Sequence, residues 1–164
     1  MQGMTKRERQ ITEPEKIREI LDKAKVLQLG LCVDNEPYVV PMNYGYAFEG
    51  EKLVLYLHSA VRGKKLDMLR QNPNVFFAMD CDRIPFEGKV ACQYGMSYSS
   101  IMGRGNARIL EDSEEKQQAM SALMKAQTGK DFDFNAPLVS IVAVIRIDVT
   151  EYTAKHRPLP EKLR

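Results

Sequence analysis

Short apolar segments joined by turns of only a few residues dominate the first half of this chain. Three of them follow one another, at residues 27–33, 37–48 and 52–58. Runs of this length, rich in branched and aromatic residues and bounded by Asp, Asn, Glu and Gly, are typical of strands. Because several runs are apolar on both faces, the pattern favours a mainly β protein, a small closed or split barrel with helices packed outside.

The second half of the chain continues the β pattern. Further strands are predicted at residues 75–80, 97–110 and 138–152. Residues 82–96 hold one proline and two glycines among polar residues, and are interpreted as a loop with a short strand at 89–93. Gly103 and Gly105 indicate a bulge, a close approach of another group or a simple kink in the strand that contains them. The tail, residues 155–164, is expected to be mobile or to lie on a partner subunit.

Three helices are predicted among these strands. The first starts with Thr12 as N-cap and Glu15 as its capping-box partner. Its apolar stripe consists of Ile17, Ile20, Leu21 and Ala24. The second helix covers residues 63–72 and stops before a proline, which cannot continue it. The third begins at Asp112 with Glu115 as capping-box partner, and the apolar stripes of the first and third helices are interpreted as core packing.

Length and charge exclude several classes of function. A chain of 164 residues is expected to form one domain spanning positions 1–164 with a sizeable core. Its 24 basic and 22 acidic residues give a net charge of +2, which offers no case for nucleic-acid binding. No apolar run approaches the roughly 20 residues needed to cross a bilayer, and the polar start is not typical of a signal peptide. A cytoplasmic protein is expected.

The cysteine and histidine inventory argues against a disulfide framework and against a metal site. Cys32, Cys81 and Cys92 are an odd set without a CxxC pair, and only His58 and His156 could complete a metal site. Cys32 lies within an apolar strand and is expected in the core. Cys81 and Cys92 flank the predicted loop, where the alternatives are buried structural thiols and reactive ones.

The junction between the third strand and the second helix has the layout of a phosphate site. The apolar strand ends in His58 and Ser59, and Gly63, Lys64 and Lys65 open the helix. The first turn of a helix presents unpaired N–H groups and the positive end of the helix dipole to an anion. Two lysines and two side-chain donors could converge on the same phosphate. A solvated basic helix start is the alternative interpretation of the same residues.

Three segments in this order carry a family resemblance. They are PYVVPMNYGY at 37–46, LYLHSAVRGKKLDMLRQNPNV at 55–75 and YSSIMGRGNARIL at 98–110. Together they resemble the FMN-binding split-barrel superfamily of pyridoxamine 5′-phosphate oxidase-like flavoproteins, most closely its nitroimidazole-resistance group. The resemblance extends over about residues 11–155. It implies a six- to seven-stranded antiparallel split β-barrel of the FMN-binding type.

The resemblance also implies a location for FMN. It places the isoalloxazine edge along one strand, the ribityl chain at the end of another and the phosphate at the helix start. The implied contacts are Val40, Pro41, Met42 and Asn43 for the ring, His58 and Ser59 for the ribityl chain, and Gly63, Lys64 and Lys65 for the phosphate. Members of the superfamily build this site between two subunits. A homodimer is therefore expected, in which Ser97 or Ser99 reaches a flavin held mainly by the other chain.

A flavin would supply the reactive group that the chain itself lacks. Flavins pass electrons from a nicotinamide to an acceptor while the protein binds, orients and tunes them. The expected activity is that of an oxidoreductase moving electrons from NAD(P)H to a small acceptor such as a nitroaromatic compound. His58 matches an active-site histidine of the nitroimidazole-resistance group, and is either a proton-transfer residue or only a ligand of the flavin.

Other functions remain open at the level of sequence. One is a flavin-binding or redox-sensing module without turnover, and another is a related barrel that binds haem or a deazaflavin. The chain has no tryptophan, whereas pyridoxamine phosphate oxidases proper use one in a C-terminal segment. Oxidation of pyridoxamine phosphate is therefore not expected. Tyr44, Tyr46 and Tyr98 could stack on a planar substrate or simply pack the barrel.

Overall fold

One antiparallel sheet organises residues 6–161, the part of the chain that the computed structural model describes. Within that range the sheet has eight strands: β1 (Gln10–Ile11), β2 (Val26–Val33), β3 (Glu36–Asn43), β4 (Gly45–Glu49), β5 (Lys52–Ser59), β6 (Asn74–Phe86), β7 (Gly95–Ile109) and β8 (Ala143–Arg157). The helices are α1 (Pro14–Ala24), α2 (Lys64–Gln71), α3 (Ser113–Thr128) and α4 (Ala136–Ser140), and short 3-10 turns lie at Arg7–Arg9 and Ala91–Gln93. None of the helices in residues 6–161 is long and apolar enough to cross a membrane.

The strand order makes the sheet curl into a barrel. Neighbouring strands follow the order β3-β2-β6-β7-β8-β5-β4, and the two-residue β1 pairs with β8. Its first and last strands, β3 and β4, are consecutive parts of one chain segment. The ends of the sheet are thus joined by the backbone itself. The mainly β split barrel is confirmed, with seven strands besides β1.

A break at Tyr44 divides the segment that was predicted as one strand over residues 37–48. Before the break β3 pairs with β2, and after it β4 pairs with β5, with Gly45 opposite Tyr56. The Tyr44 ring is fully buried, and its hydroxyl donates a 2.6 Å hydrogen bond to the Leu21 carbonyl of α1. Burial raises the pKa of this phenol. Tyr44 therefore fixes the point where the barrel splits.

The core confirms the helix stripe and corrects one core prediction. Ile17, Ile20 and Leu21 of α1 pack with the inward residues of β2, namely Leu27, Leu29 and Leu31. Successive strand residues point to opposite faces. Cys32 is therefore exposed, and its prediction as a core residue was wrong.

Helix starts were predicted with mixed success. The N-cap of α1 is Glu13 rather than Thr12, because Pro14 takes the first helical position, and the Glu13 carboxylate accepts from the Thr12 N–H at 3.0 Å. Asp112 caps α3 as predicted and accepts from the Glu114 and Glu115 N–H groups. The Glu115 carboxylate binds Arg108 at 2.8 and 3.0 Å, instead of closing a capping box.

Two long strands run further than predicted. Residues 82–86 were assigned to a loop, yet β6 continues to Phe86 beyond a register shift, with Pro85 opposite Met96; residues 89–93 form no strand. Residues 138–140 are helical, and β8 runs from Ala143 to Arg157, so the tail begins after Arg157 instead of at 155. Residues 162–164 of the predicted tail lie outside the described residues. Strand pairing decided these C-terminal ends, because β7 pairs with β6 up to Phe86 and with β8 up to Arg157.

The predicted bulge near the glycines of β7 is present. The register between β7 and β8 shifts between Arg104 and Gly105. A Cβ atom on Gly103 would lie 2.4 Å from the Glu151 carbonyl oxygen, and one on Gly105 would lie 2.6 Å from that of Asp148. Both the bulge and a close approach of backbone therefore explain these glycines.

Replacing Tyr44 with Phe tests the role of this buried anchor. Tyr44→Phe leaves the buried Leu21 carbonyl without its partner, so we expect the free energy of unfolding to fall by about 1–3 kcal/mol. Tyr46→Phe is the matched control, because the Tyr46 hydroxyl donates to the exposed Asp22 carboxylate at 2.7 Å. Urea denaturation of both variants measures the difference. Equal losses would argue against Tyr44 as the anchor of the split.

Candidate functional site

The predicted site residues converge on the split that opens beyond Tyr44. β4 covers one edge of β5 only as far as Tyr56, while β8 covers the other edge up to Ser59. β3 still contacts β5 here but pairs with β2 instead. The end of β5, the outer edge of β3 and the start of α2 therefore border the same opening.

The β2–β3 turn determines which backbone groups of β3 face this opening. Asp34 and Asn35 have φ angles of 51° and 64°, as a two-residue type I′ turn requires. The flanking residues Val33 and Glu36 are paired, so alternate residues of β3 from Glu36 onward bond to β2. Residues 37, 39, 41 and 43 direct their backbone groups away from β2. Two of them are prolines, as expected where no partner strand needs an N–H.

This register separates the four residues predicted to contact the flavin ring into two pairs. Pro41 and Asn43 present their backbone to the split, while Val40 and Met42 turn theirs to β2 and their side chains inward. Val39, which the sequence did not single out, shares the open edge and is 62% exposed. The sequence indicates this alternation through Pro37 and Pro41, which are four residues apart and therefore direct their backbone groups to the same edge of β3. Ligand contacts of all these residues stay a prediction.

The Asn43 side chain has a structural role. Its amide donates to the Lys25 carbonyl and to Gln127 Oε1, both at 3.2 Å. Gln127 in turn donates to the carbonyls of Lys25 and Tyr44 at 2.9 and 2.8 Å. These bonds tie the end of β3 to α3. The main-chain N–H of Asn43, rather than its side chain, is therefore the group that can face a ligand.

His58 carries a polar atom that the fold leaves unsatisfied. Its Nδ1 atom is buried and has no hydrogen-bond partner within residues 6–161. His58 pairs with Val144 of β8, and the adjacent Ser59 donates to the Ala60 carbonyl at 2.9 Å. A buried polar atom without a partner is costly and often marks a missing ligand. His58 is the predicted site residue with the clearest structural signal.

The start of α2 is open to an anion. Gly63 is its N-cap with φ 142°, a conformation that favours glycine, and no described side chain caps the helix. The first backbone bond runs from the Leu66 N–H to the Gly63 carbonyl, so the N–H groups of Lys64 and Lys65 have no intrahelical acceptor. The structure confirms the predicted strand-to-helix junction.

The two lysines at this junction have different surroundings. Lys65 is half-buried, and burial lowers its pKa; no carboxylate among residues 6–161 forms an ion pair with it. Lys64 is exposed, and its Nζ lies 5.0 Å from the ring centroid of Tyr38 on β3. The positive charge of Lys65 is thus uncompensated beside unpaired N–H groups. Such an arrangement is suited to a phosphate.

Ser97 and Ser99 lie elsewhere in the described chain. Both are buried; Ser97 donates to the Arg157 carbonyl at 2.8 Å, and Ser99 lies 3.0 Å from His156 Nδ1. Strand alternation directs the neighbouring Tyr98 and Ser100 to the opposite, outer face. The contact of Ser97 or Ser99 with a flavin held by another chain stays a prediction. Tyr98 and Ser100 are the residues of this segment that face outward.

Packing accounts for Tyr46 and Cys81 but not for Cys92. The Tyr46 ring meets Phe48 edge to face, and burial raises the pKa of Tyr46 to about 12. Burial also raises the pKa of the Cys81 thiol to about 11, which opposes reactivity. Cys92 is exposed and borders an open cavity of about 1010 Å³ beside Arg157. That cavity lies at the far end of β8 from the split.

The chain is similar in sequence and fold to known proteins. The family model described as pyridoxamine 5′-phosphate oxidase matches residues 13–156. A candidate 5-nitroimidazole antibiotic resistance protein of Bacteroides thetaiotaomicron is 33% identical, with 90% of this chain and 86% of that chain covered and a TM-score of 0.75. No curated protein sequence matches the chain.

More distant structures share the fold. The flavocytochrome Anf3 of Azotobacter vinelandii is 17% identical, with 96% of this chain and 73% of that chain covered and a TM-score of 0.76. A FAD-binding protein of Mesorhizobium loti is 23% identical, with 90% and 96% covered and a TM-score of 0.62. At these identities the likeness supports the barrel architecture alone.

The titration of Lys65 tests the anion site without any assumed cofactor. Because burial disfavours its charged form, we expect the pKa of Lys65 to lie below its ordinary value of 10.5. The unfolded chain binds this proton more tightly, so the resulting destabilisation is present below the lowered pKa and is relieved as the pH rises toward 10.5. Inorganic phosphate should raise the pKa of Lys65 by favouring its charged form.

NMR of lysines labelled at Cε measures this titration. Lys16 is the control, because its hydrogen bond to Glu13 raises its pKa and it lies on α1. Phosphate should leave the pKa of Lys16 unchanged. A Lys65 pKa that does not respond to phosphate would contradict the assignment of this junction as an anion site.

Proposed function

The chain belongs to the pyridoxamine 5′-phosphate oxidase family, and on this premise we propose that it binds FMN in the split and moves electrons from NAD(P)H to a small acceptor. The observation that carries the proposal is that two polar groups bordering the split lack partners. The buried His58 Nδ1 lacks a partner, and Lys65 lacks a counter-charge among residues 6–161. A phosphorylated flavin would meet both.

The chemistry of the split suits a phosphorylated flavin. The phosphate would lie at the N-terminus of α2, against the N–H groups of Lys64 and Lys65 and their ammonium groups. His58 and Ser59 would lie along the ribityl chain. The ring would extend along the open edge of β3, where the Val39 and Asn43 N–H groups and the Pro41 carbonyl face outward. Backbone donors of this kind tune a bound ring without any ionisable side chain.

A nitroaromatic compound is the acceptor that we favour. FMN supplies the electron-transfer chemistry when bound, and the chain contributes binding and orientation. The support is the 33% identical relative, whose name refers to 5-nitroimidazole antibiotic resistance. Val39 and Val61, which are 62% and 50% exposed, give the opening an apolar rim suited to a flat aromatic acceptor. NAD(P)H is the electron donor in this proposal.

His58 has two candidate roles that one variant separates. As a ligand, its Nδ1 would hold the flavin; as a proton-transfer group, it would protonate the reduced acceptor. His58→Gln retains hydrogen bonding but does not titrate. Weaker FMN binding in this variant would support the ligand role. Unchanged FMN binding with a lower kcat and a lost pH dependence would support proton transfer.

A homodimer with the flavin at the subunit interface is also part of the proposal. The outer face of β2, β6 and β7 exposes Val26, Phe76 and Met102 at 39%, 40% and 41%. Val39 on the open edge of β3 continues this apolar face toward the split. A second copy of the chain would cover these residues and close the ring site. Tyr98 and Ser100 face the same side.

The deciding experiment is an absorbance spectrum of the purified protein with the released cofactor identified by mass. We expect flavin bands, FMN as the released compound, and bleaching on anaerobic addition of NADPH. Adding a nitroimidazole should then restore the bands and consume the nitro chromophore. Flavin without any reduction would favour a binding or redox-sensing module. A haem or deazaflavin spectrum, or a colourless protein that refuses FMN, would reject the proposal.

The dimer is tested by a pair of matched phenylalanines. Phe76→Asp places a charge in the apolar face, and we expect the dissociation constant of the dimer to rise at least ten-fold, or about 1.4 kcal/mol. Phe132→Asp is the control, because Phe132 is equally exposed at 41% but lies in the loop after α3. Sedimentation velocity gives both values. A dimer that tolerates Phe76→Asp as well as Phe132→Asp would place the interface elsewhere.

A further inference from the structure

Tyr38 of β3 and Lys64 of α2, which border the split from opposite sides, make a contact that the sequence did not predict. Tyr38 lies in the middle of β3, half-buried, with its side chain packed against the core. Lys64, the first residue of α2, reaches across so that its Nζ lies 5.0 Å from the Tyr38 ring centroid. A cation at this distance from an aromatic face is attracted to the ring. A ring on β3 therefore holds an ammonium group of α2 on the other side of the split.

The contact matters because Lys64 has few other restraints. Its side chain is exposed, and none of the carboxylates in residues 6–161 forms an ion pair with it. A free lysine side chain populates many rotamers and must lose that freedom when it binds an anion. A ring that already restricts the side chain reduces this loss, which is how preorganisation increases affinity.

We propose that Tyr38 is a positioning residue that holds the Lys64 ammonium group at the split for the phosphate of the ligand. This inference rests on the proposed FMN binding and adds a residue to it. The ring carries the effect and the hydroxyl does not, since the cation is attracted to the π face. Phenylalanine should therefore replace Tyr38 without loss, and an aliphatic residue should not.

The contact itself can be tested in the protein without ligand. A ring above the side chain of Lys64 shifts the resonances of its ε-methylene protons upfield. We expect this shift to persist in Tyr38→Phe and to vanish in Tyr38→Leu. Tyr38→Ile is a second aliphatic variant, better suited to a strand if the leucine variant folds poorly. An unshifted Lys64 in the unmodified protein would overturn the proposal at its first step.

The effect on binding is isolated by comparing FMN with riboflavin, which lacks the phosphate. In Tyr38→Leu we expect FMN affinity to fall roughly two- to five-fold more than riboflavin affinity, the range that an exposed cation–π pair corresponds to. In a Lys64→Gln background the same substitution should cause no such difference. Phe48→Leu is the matched control, because it removes the ring 4.3 Å from Arg18 on another part of the barrel.

The outcomes separate this inference from the proposed function. Equal losses of FMN and riboflavin affinity in Tyr38→Leu would reduce Tyr38 to a packing residue, while FMN binding by the unmodified protein would still stand. A difference that persists in the Lys64→Gln background would likewise overturn the role of Lys64. An unmodified protein that binds neither flavin would reject the proposed function, and the positioning role would fall with it.

Discussion

A strand can pair with only one neighbour on each edge, and the rest of this structure depends on how the segment around Tyr44 meets that limit. Before Tyr44 the segment pairs with β2, and after it with β5. The barrel is therefore continuous in its backbone but open between β3 and the end of β5. The buried Tyr44 hydroxyl bonds to α1, and Gln127 of α3 binds the Tyr44 carbonyl. Two helices thus fix the position of Tyr44 at the edge of the opening.

The opening leaves polar groups unpaired, and these groups define what it can bind. The outer edge of β3 lacks a partner strand, α2 begins without a side-chain cap among the described residues, and His58 Nδ1 is buried without a partner there. By contrast, β2, β6, β7 and β8 each have a partner strand on both edges. A ligand with a hydrogen-bonding ring and a terminal phosphate matches this distribution. That match, together with the family relationship, supports the proposed FMN site.

Local sequence rules predicted elements well where a short segment decides its own structure. The Asp34–Asn35 turn, the start of α2 at Gly63 and the bulge beside Gly105 follow from turn chemistry, conformational freedom and close backbone approach. The same rules were wrong where a distant strand decided. Residues 82–86 contain Pro85 and were assigned to a loop, but β7 pairs with them up to Phe86. Pro14 displaced Thr12 as the start of α1.

The sequence by itself determined the mainly β class, the strand-to-helix junction at His58 and Gly63, and the family motifs. Each of these features is carried by segments of at most 21 residues. Only the tertiary structure decided which residues face the split. Strand register, fixed by pairing across the sheet, turns Asn43 outward and Met42 inward, and turns Tyr98 rather than Ser99 to the outer face. A shift of one residue in this pairing would reverse every such assignment.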